Sequence, residues 1–215
     1  MLLFKMFTIE LHIKLCKLLI SFDESCIIIM YLYVYLRRFE VKACQNSASE
    51  GVFMERISKH NYYLDIAQTV AERGTCMRRL FGAIIVKDDV IVSTGYNGAP
   101  RGRQNCSDIK SCIRDKLNIP RGERYEMCRS VHAEANAIIA AARERMLGAT
   151  LYMVCVNPKT GELYDGTSSC MMCKRQIINA GISTVIVRDT KEDYRVIDVK
   201  EWIENDDSLS GQFGY

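Results

Sequence analysis

Hydrophobic and polar positions are distributed very differently before and after Met54. Residues 1–53 are crowded with Leu, Ile, Phe, Tyr and Met, notably the run Ile27–Leu36, whereas the later sequence mixes apolar and polar positions with recognisable periods. From Ser58 to Leu80, Tyr62, Tyr63, Ile66, Ala67, Val70 and Ala71 recur at three-to-four spacing, which predicts an amphipathic helix ended by Gly74. Two β-branched runs, Ala83–Val86 and Val90–Thr94, flank Lys87, Asp88 and Asp89 and predict a hairpin. The polar stretch from Gly95 to Arg129 has little periodicity and is longer than an idle connection. Val131–Met146, rich in Ala, Ile and Glu, reads as one helix closed by Gly148, and Cys170–Ala180 as a second stopped by Gly181. Strands are predicted at Thr150–Val156, Ile182–Val187 and Arg195–Val199, with a short helix about Trp202. This order is α/β: one sheet with helices on both faces.

The apolar leader invites a membrane reading. Its uncharged run, Ile27–Leu36, is ten residues, about half of the ~20 that a spanning helix needs. The earlier apolar stretch is broken by Lys5, Glu10, His12, Lys14 and Lys17, and no small-residue cleavage site follows it. Residues 1–53 are therefore expected to be either a peripheral amphipathic extension or an upstream stretch outside the native protein, with translation starting at Met54; the second reading is preferred only on the family resemblance given below, whose members begin with a sequence like Met54-Glu55-Arg56-Ile57-Ser58. No membrane partner is expected.

Composition narrows the picture. A chain of 215 residues, 48% hydrophobic and 26% charged, supports one sizeable folded domain and rules out disorder throughout. A net charge of +3 supplies no global field for nucleic acid or membrane surfaces. Ten cysteines accompany only three histidines (His12, His60, His132), so any zinc site must lean on thiolates.

The candidate chemistry lies in two short motifs. His132-Ala133-Glu134 opens one predicted helix and Cys170-Met171-Met172-Cys173 opens the next. Cysteines three apart in a first helical turn point the same way, and a helix N-terminus favours the thiolate. One imidazole and two thiolates leave an open fourth position on zinc, the arrangement of a catalytic site. Glu134 is placed to reach water there without ligating the metal. H-x-E followed by P-C-x-x-C is the signature of zinc-dependent deaminases, and this chain matches it except that Ser169 stands in place of the proline.

With Gly74-Thr75-Cys76, Arg78-Arg79, Gly82-Ala83-Ile84-Ile85-Val86, Thr94-Gly95-Tyr96-Asn97-Gly98-Ala99-Pro100, His132-Ala133-Glu134-Ala135-Asn136-Ala137-Ile138 and Cys170-x-x-Cys173 leading to Asn179-Ala180-Gly181-Ile182, the stretch from Met54 to Asp206 resembles the deoxycytidylate deaminase branch of the cytidine deaminase superfamily. The resemblance implies a deaminase domain over 54–206, a short polar tail at 207–215, and a three-layer α/β/α fold with one mixed five-stranded sheet. It also implies zinc held by His132, Cys170 and Cys173, with Glu134 carrying protons between water and the base. The reaction implied is hydrolytic deamination of a cytosine nucleotide, dCMP to dUMP with loss of ammonia, in a cytoplasmic homo-oligomer, a hexamer being one form found among relatives.

Further residues keep two readings each. Asn97 aligns with a family residue that contacts the substrate's sugar, or simply forms a good Asn-Gly turn. Cys76, Cys106, Cys112 and Cys128 are candidates for a second, structural zinc, or small buried hydrophobes. Residues 101–129 carry eight basic and four acidic side chains, suited to a phosphate or to a solvated loop. Cys155 is expected in the core, His60 exposed, and Trp202 in the core or an interface. Ser169 stands where the family has proline and is expected to act as an N-cap. Residues 158–166 look like an inserted hairpin at the pocket mouth. Alternative functions are a tRNA or single-stranded DNA base deaminase and a non-catalytic nucleotide-binding homologue. The acidic stretch Glu201–Asp207, without Lys or Arg, disfavours a nucleic-acid partner, and Glu134 beside all three ligands disfavours loss of catalysis.

Overall fold

The computed structural model describes residues 56–120 and 122–205; the expectations on residues 1–53 and on the tail 207–215 lie outside the described residues. The first helix, α1 (Lys59–Ala71), starts at Ser58, whose hydroxyl accepts from the Asn61 amide at 3.2 Å. It buries Tyr63, Leu64, Ala67 and Ala71, while Tyr62 from the predicted apolar set stays exposed. Strands β1 (Leu80–Lys87) and β2 (Val90–Tyr96) form the predicted hairpin. Its two-residue turn puts both Asp88 and Asp89 at positive φ, 50° and 62°, the geometry that matches strand twist.

The predicted long loop holds two single-turn helices, α2 (Cys106–Ile109) and α3 (Ile113–Lys116), and a 3-10 turn at Tyr125–Met127. The helix expected over 131–146 is two helices, α4 (Ala133–Ile139) and α5 (Arg143–Met146). Alanine-rich propensity yields here to packing: the break turns the chain so that Met146 enters the core and Arg143 Nε donates to the Asn179 carbonyl at 3.2 Å. Then follow β3 (Thr150–Val156), α6 (Met171–Ala180), β4 (Thr184–Arg188), β5 (Tyr194–Asp198) and α7 (Val199–Glu204).

The five strands form one sheet in the order β2-β1-β3-β4-β5, mixed because β3 and β4 run parallel while every other pair is antiparallel. Side-chain alternation sorts the core into two layers. Ile84, Val86, Tyr152, Val154 and Ile186 pack under α1, whereas Ala83, Ile85, Leu151, Met153, Val185 and Val187 face α4 and α6, with Trp202 packed at the margin. This is the expected three-layer α/β/α architecture. Close approach of helix to strand requires glycine at two places. A Cβ on Gly82 would lie 2.0 Å from the Ala67 carbonyl oxygen, and one on Gly95 would lie 2.3 Å from that of Ala133. The second contact seats α4, and with it His132, against the sheet.

Candidate metal centre and catalytic pocket

Helix N-termini build the site. His132 is the N-cap residue of α4 and Cys170 that of α6, so their side chains leave the chain where backbone N–H groups converge. Glu134 is the second residue of α4 and Cys173 the third of α6. His132 is fixed from behind: Gly98 and Val131 exchange backbone hydrogen bonds at 3.2 and 2.8 Å, and Asn136 Nδ2 donates to the Tyr96 carbonyl at 2.7 Å.

His132 Nδ1 lies 3.3 Å from Cys170 Sγ and 3.4 Å from Cys173 Sγ. Among the described residues these three form the one group of His, Cys, Asp or Glu whose ligand atoms all fall within 4.8 Å of each other. The donor set fits zinc: Zn–N of about 2.0 Å and Zn–S of about 2.3 Å in a tetrahedron place nitrogen and sulfur roughly 3.5 Å apart. Cys170 and Cys173 are both buried. The hydrogen bond with Cys173, helped by His132, pulls the Cys170 thiol down to about 4, while the same bond and burial push Cys173 up. Burial opposes charge on His132, but its bond to Cys170 and the nearby Glu134 outweigh that and raise its pKa.

Glu134 is 4% exposed. Desolvation raises its carboxyl pKa against the lowering effects of His132 and of a hydrogen bond from Ser169. A carboxyl so placed can hold or release a proton at little cost, as a proton carrier must. Ser169 corrects the N-cap expectation. Cys170 is the cap, whereas Ser169 is buried, with its hydroxyl on Glu134 and 3.8 Å from Met153 Sδ.

His132, Glu134 and Cys170 open onto one cavity, lined also by Asn97, Thr167, Arg78, Arg79, Arg114 and Arg129. Asn97 is buried and both ends of its amide serve the backbone: Nδ2 donates to the Arg79 carbonyl at 2.8 Å and Oδ1 accepts from Phe81 N at 2.9 Å. It therefore pins the strand entry that borders the pocket. Arg114, buried and missed from sequence because it reads as a loop charge, grips the Pro120 and Glu123 carbonyls at 2.6 and 2.7 Å and stacks on Tyr125 at 4.3 Å. Tyr125 in turn meets the His132 ring edge-on, centroids 5.0 Å apart.

Cys76, Cys106, Cys112 and Cys128 line the same cavity, and all are free thiols. Burial, then the proximity of the other three sulfurs, raises the Cys106 thiol pKa. Among the described residues no three of them bring their sulfurs within 4.8 Å of one another. Cys155 is fully buried in β3, as expected of a core residue. His60 departs from expectation: it is half-buried, and its Nδ1 is 3.0 Å from the Tyr152 hydroxyl. No described helix is long and apolar enough to cross a membrane.

Residues 57–189 match the family described as the cytidine and deoxycytidylate deaminase zinc-binding region. The deoxycytidylate deaminase of Mycobacterium phage D29 is 36% identical over 138 residues, covering 62% of this chain and 96% of the phage protein. That of Schizosaccharomyces pombe is 33% identical over 131 residues, covering 61% of this chain and 37% of the yeast protein. The match to the Saccharomyces cerevisiae deoxycytidylate deaminase is 29% over 162 residues and spans 47% of that protein, so this chain covers less than half of either yeast relative. A solved structure of the dCMP deaminase from the cyanophage S-TIM5 is 26% identical, covers 62% of this chain and 85% of its own, and gives a TM-score of 0.43. By the family match over residues 57–189, the chain belongs to the cytidine and deoxycytidylate deaminase zinc-binding family.

Proposed function

We propose that this chain is a zinc-dependent hydrolase that deaminates dCMP to dUMP with release of ammonia. His132, Cys170 and Cys173 are the zinc ligands and Glu134 the proton carrier. The observation that carries the reading is the buried Glu134 carboxyl two residues beyond an imidazole whose Nδ1 lies 3.3 and 3.4 Å from two buried thiol sulfurs. Support for the substrate comes from relatives in a phage and two yeasts that bear the name deoxycytidylate deaminase. Zinc bound by this donor set supplies Lewis acidity, bringing the pKa of water from 15.7 towards about 7. Glu134 takes a proton from the attacking water and delivers it to N3 as the new C4–O bond forms. It then passes the second proton to the amino group as the C4–N bond breaks, leaving uracil and ammonia.

The four pocket cysteines extend the proposal. As a structural zinc set, Cys76, Cys106, Cys112 and Cys128 would draw together from their present positions, with the arginines around them offsetting about two negative charges. A reducing compartment, the cytoplasm, would accord with thiolate ligands. Association into a homo-oligomer accords with apolar side chains left in solvent, Ile139 on α4 being 77% exposed. Uracil formation from dCMP, CMP, deoxycytidine and cytidine, with zinc counted alongside, tests the reading. Turnover highest on dCMP is expected, with one zinc per chain, or two if the cysteine quartet also binds. No turnover on any of the four contradicts it.

A further inference from the structure

We propose that Ser169 is a positioning residue for the reaction: its hydroxyl holds the Glu134 carboxylate in the orientation from which that group takes and returns protons. The inference rests on the deaminase reading of the same site. It begins from a departure in sequence. The deaminase signature has proline before its first C-x-x-C cysteine, and this chain has serine. Proline carries no side-chain donor, whereas serine brings one O–H.

The fold closes water away from that O–H. Ser169, Glu134 and Met153 of β3 are all buried. The Ser169 hydroxyl meets the Glu134 carboxyl and lies 3.8 Å from Met153 Sδ. A thioether sulfur is a weak acceptor and a carboxylate a strong one, so the single hydroxyl proton goes to Glu134. Among the described residues Glu134 has no ion pair, and its carboxyl also meets the Cys173 thiol. A cysteine that ligates zinc does so as the thiolate and has no proton to give. Of these two side chains, Ser169 is then the one that can donate to the carboxylate. The serine is itself held in place. Gly166 N donates to Asp189, Arg195 Nη2 donates to the Thr167 carbonyl, and Cys170, the next residue, caps α6. Ser169 thus ties this clasped loop to the first turn of α4. With one carboxylate oxygen held by the hydroxyl, the other is left to exchange protons, and in a dry site such a bond fixes geometry more firmly than it would in water.

The test measures kcat and KM for dCMP, bound zinc and the thermal midpoint in the wild type, Ser169→Ala, Ser169→Thr and Ser169→Pro. Glu134→Ala with and without Ser169→Ala completes the set. Loss of a hydrogen bond to a charged group predicts a kcat about tenfold to hundredfold lower in Ser169→Ala, with KM changed by less than about twofold and zinc retained. Ser169→Thr keeps the hydroxyl and should recover most of that loss, whereas Ser169→Pro, which restores the signature, should be as slow as Ser169→Ala. Because the hydroxyl acts through the carboxylate, Ser169→Ala should shift the midpoint less in the Glu134→Ala background than in the wild type. Equal shifts in the two backgrounds overturn the inference. So does a proline variant as fast as the wild type, since backbone rigidity and not the hydroxyl would then matter, and so does zinc lost together with activity in Ser169→Ala. The two readings fail separately. A wild type that turns over no cytosine substrate contradicts the deaminase reading and the inference with it, whereas a wild type active on dCMP whose kcat is untouched by Ser169→Ala overturns the role of Ser169 alone.

Discussion

Asp189 joins the far end of the sheet to the loop that delivers Cys170. Its carboxylate accepts from Arg195 Nε at 2.6 Å, Arg195 Nη2 at 2.9 Å and the Gly166 amide at 3.1 Å, and Arg195 Nη2 also reaches the Thr167 carbonyl at 2.5 Å. The Arg195 hydrogen bonds hold the Asp189 carboxyl below the ordinary aspartate range. A depressed carboxyl pKa contributes stability that is complete above the unfolded value, about 3.9, and is lost as pH falls through the lower folded value. Asp189→Asn is therefore expected to lower stability by roughly 1 kcal/mol at neutral pH, near the ceiling for a pair whose arginine is 43% exposed. In urea titrations at several pH values the gap to wild type should hold above about pH 5 and close below about pH 4; a gap that widens in acid contradicts this. Among single residues, those whose meaning is local were legible in sequence. His132 and Glu134, or Cys170 and Cys173, lie within one helical turn, so spacing alone sets their relation. Arg188 was not legible. It ends an apolar strand yet is 1% exposed, paired at 2.6 Å with Asp65, 123 residues earlier, and 3.0 Å from Gln68 Oε1. Only the packing of α1 over β4 creates that partnership.

Elements position the chemistry through contact as much as through their ends. Helix α4 rests on β2 at Gly95, where Ser93 Oγ also donates to the Ala137 carbonyl at 2.7 Å. In Gly95→Ala the new Cβ would meet the Ala133 oxygen at 2.3 Å and the Ala137 nitrogen at 2.4 Å, both backbone atoms that cannot swing aside. The helix has to retreat, carrying His132 and Glu134 with it. Overpacking of this kind is expected to cost about 1–3 kcal/mol, and misplacement of the proposed zinc ligand and proposed proton carrier to lower kcat by at least about tenfold. Thermal unfolding and initial rates on dCMP check both, and wild-type values contradict the seating role. The same level shows where pattern reading stopped. β3 was legible to the residue because its apolar run is bounded on both sides. The break between α4 and α5 was not, since alanine favours helix on both sides of it and the cause is tertiary. The short turns α2 and α3 carry no period to find.

At the scale of the whole described molecule, two parallel strands flanked by antiparallel ones let α4 and α6 lie side by side on one face of the sheet, each presenting its N-terminus to the same cavity. The order of elements announced an α/β sheet with helices on both faces. The mixed five-stranded sheet came from resemblance and its strand order was not legible, because nothing local in β1 says that it pairs with both β2 and β3. The architecture brings together an imidazole, two thiols and one buried carboxyl from sequence positions up to 41 residues apart. The central claim is that the three ligands hold zinc while the carboxyl moves the protons, and these duties are separable. Glu134→Ala should retain the catalytic zinc by mass spectrometry of the purified protein, yet release ammonia from dCMP at least about a hundredfold more slowly. Wild-type ammonia release in that variant, or loss of the zinc together with the activity, would contradict the account.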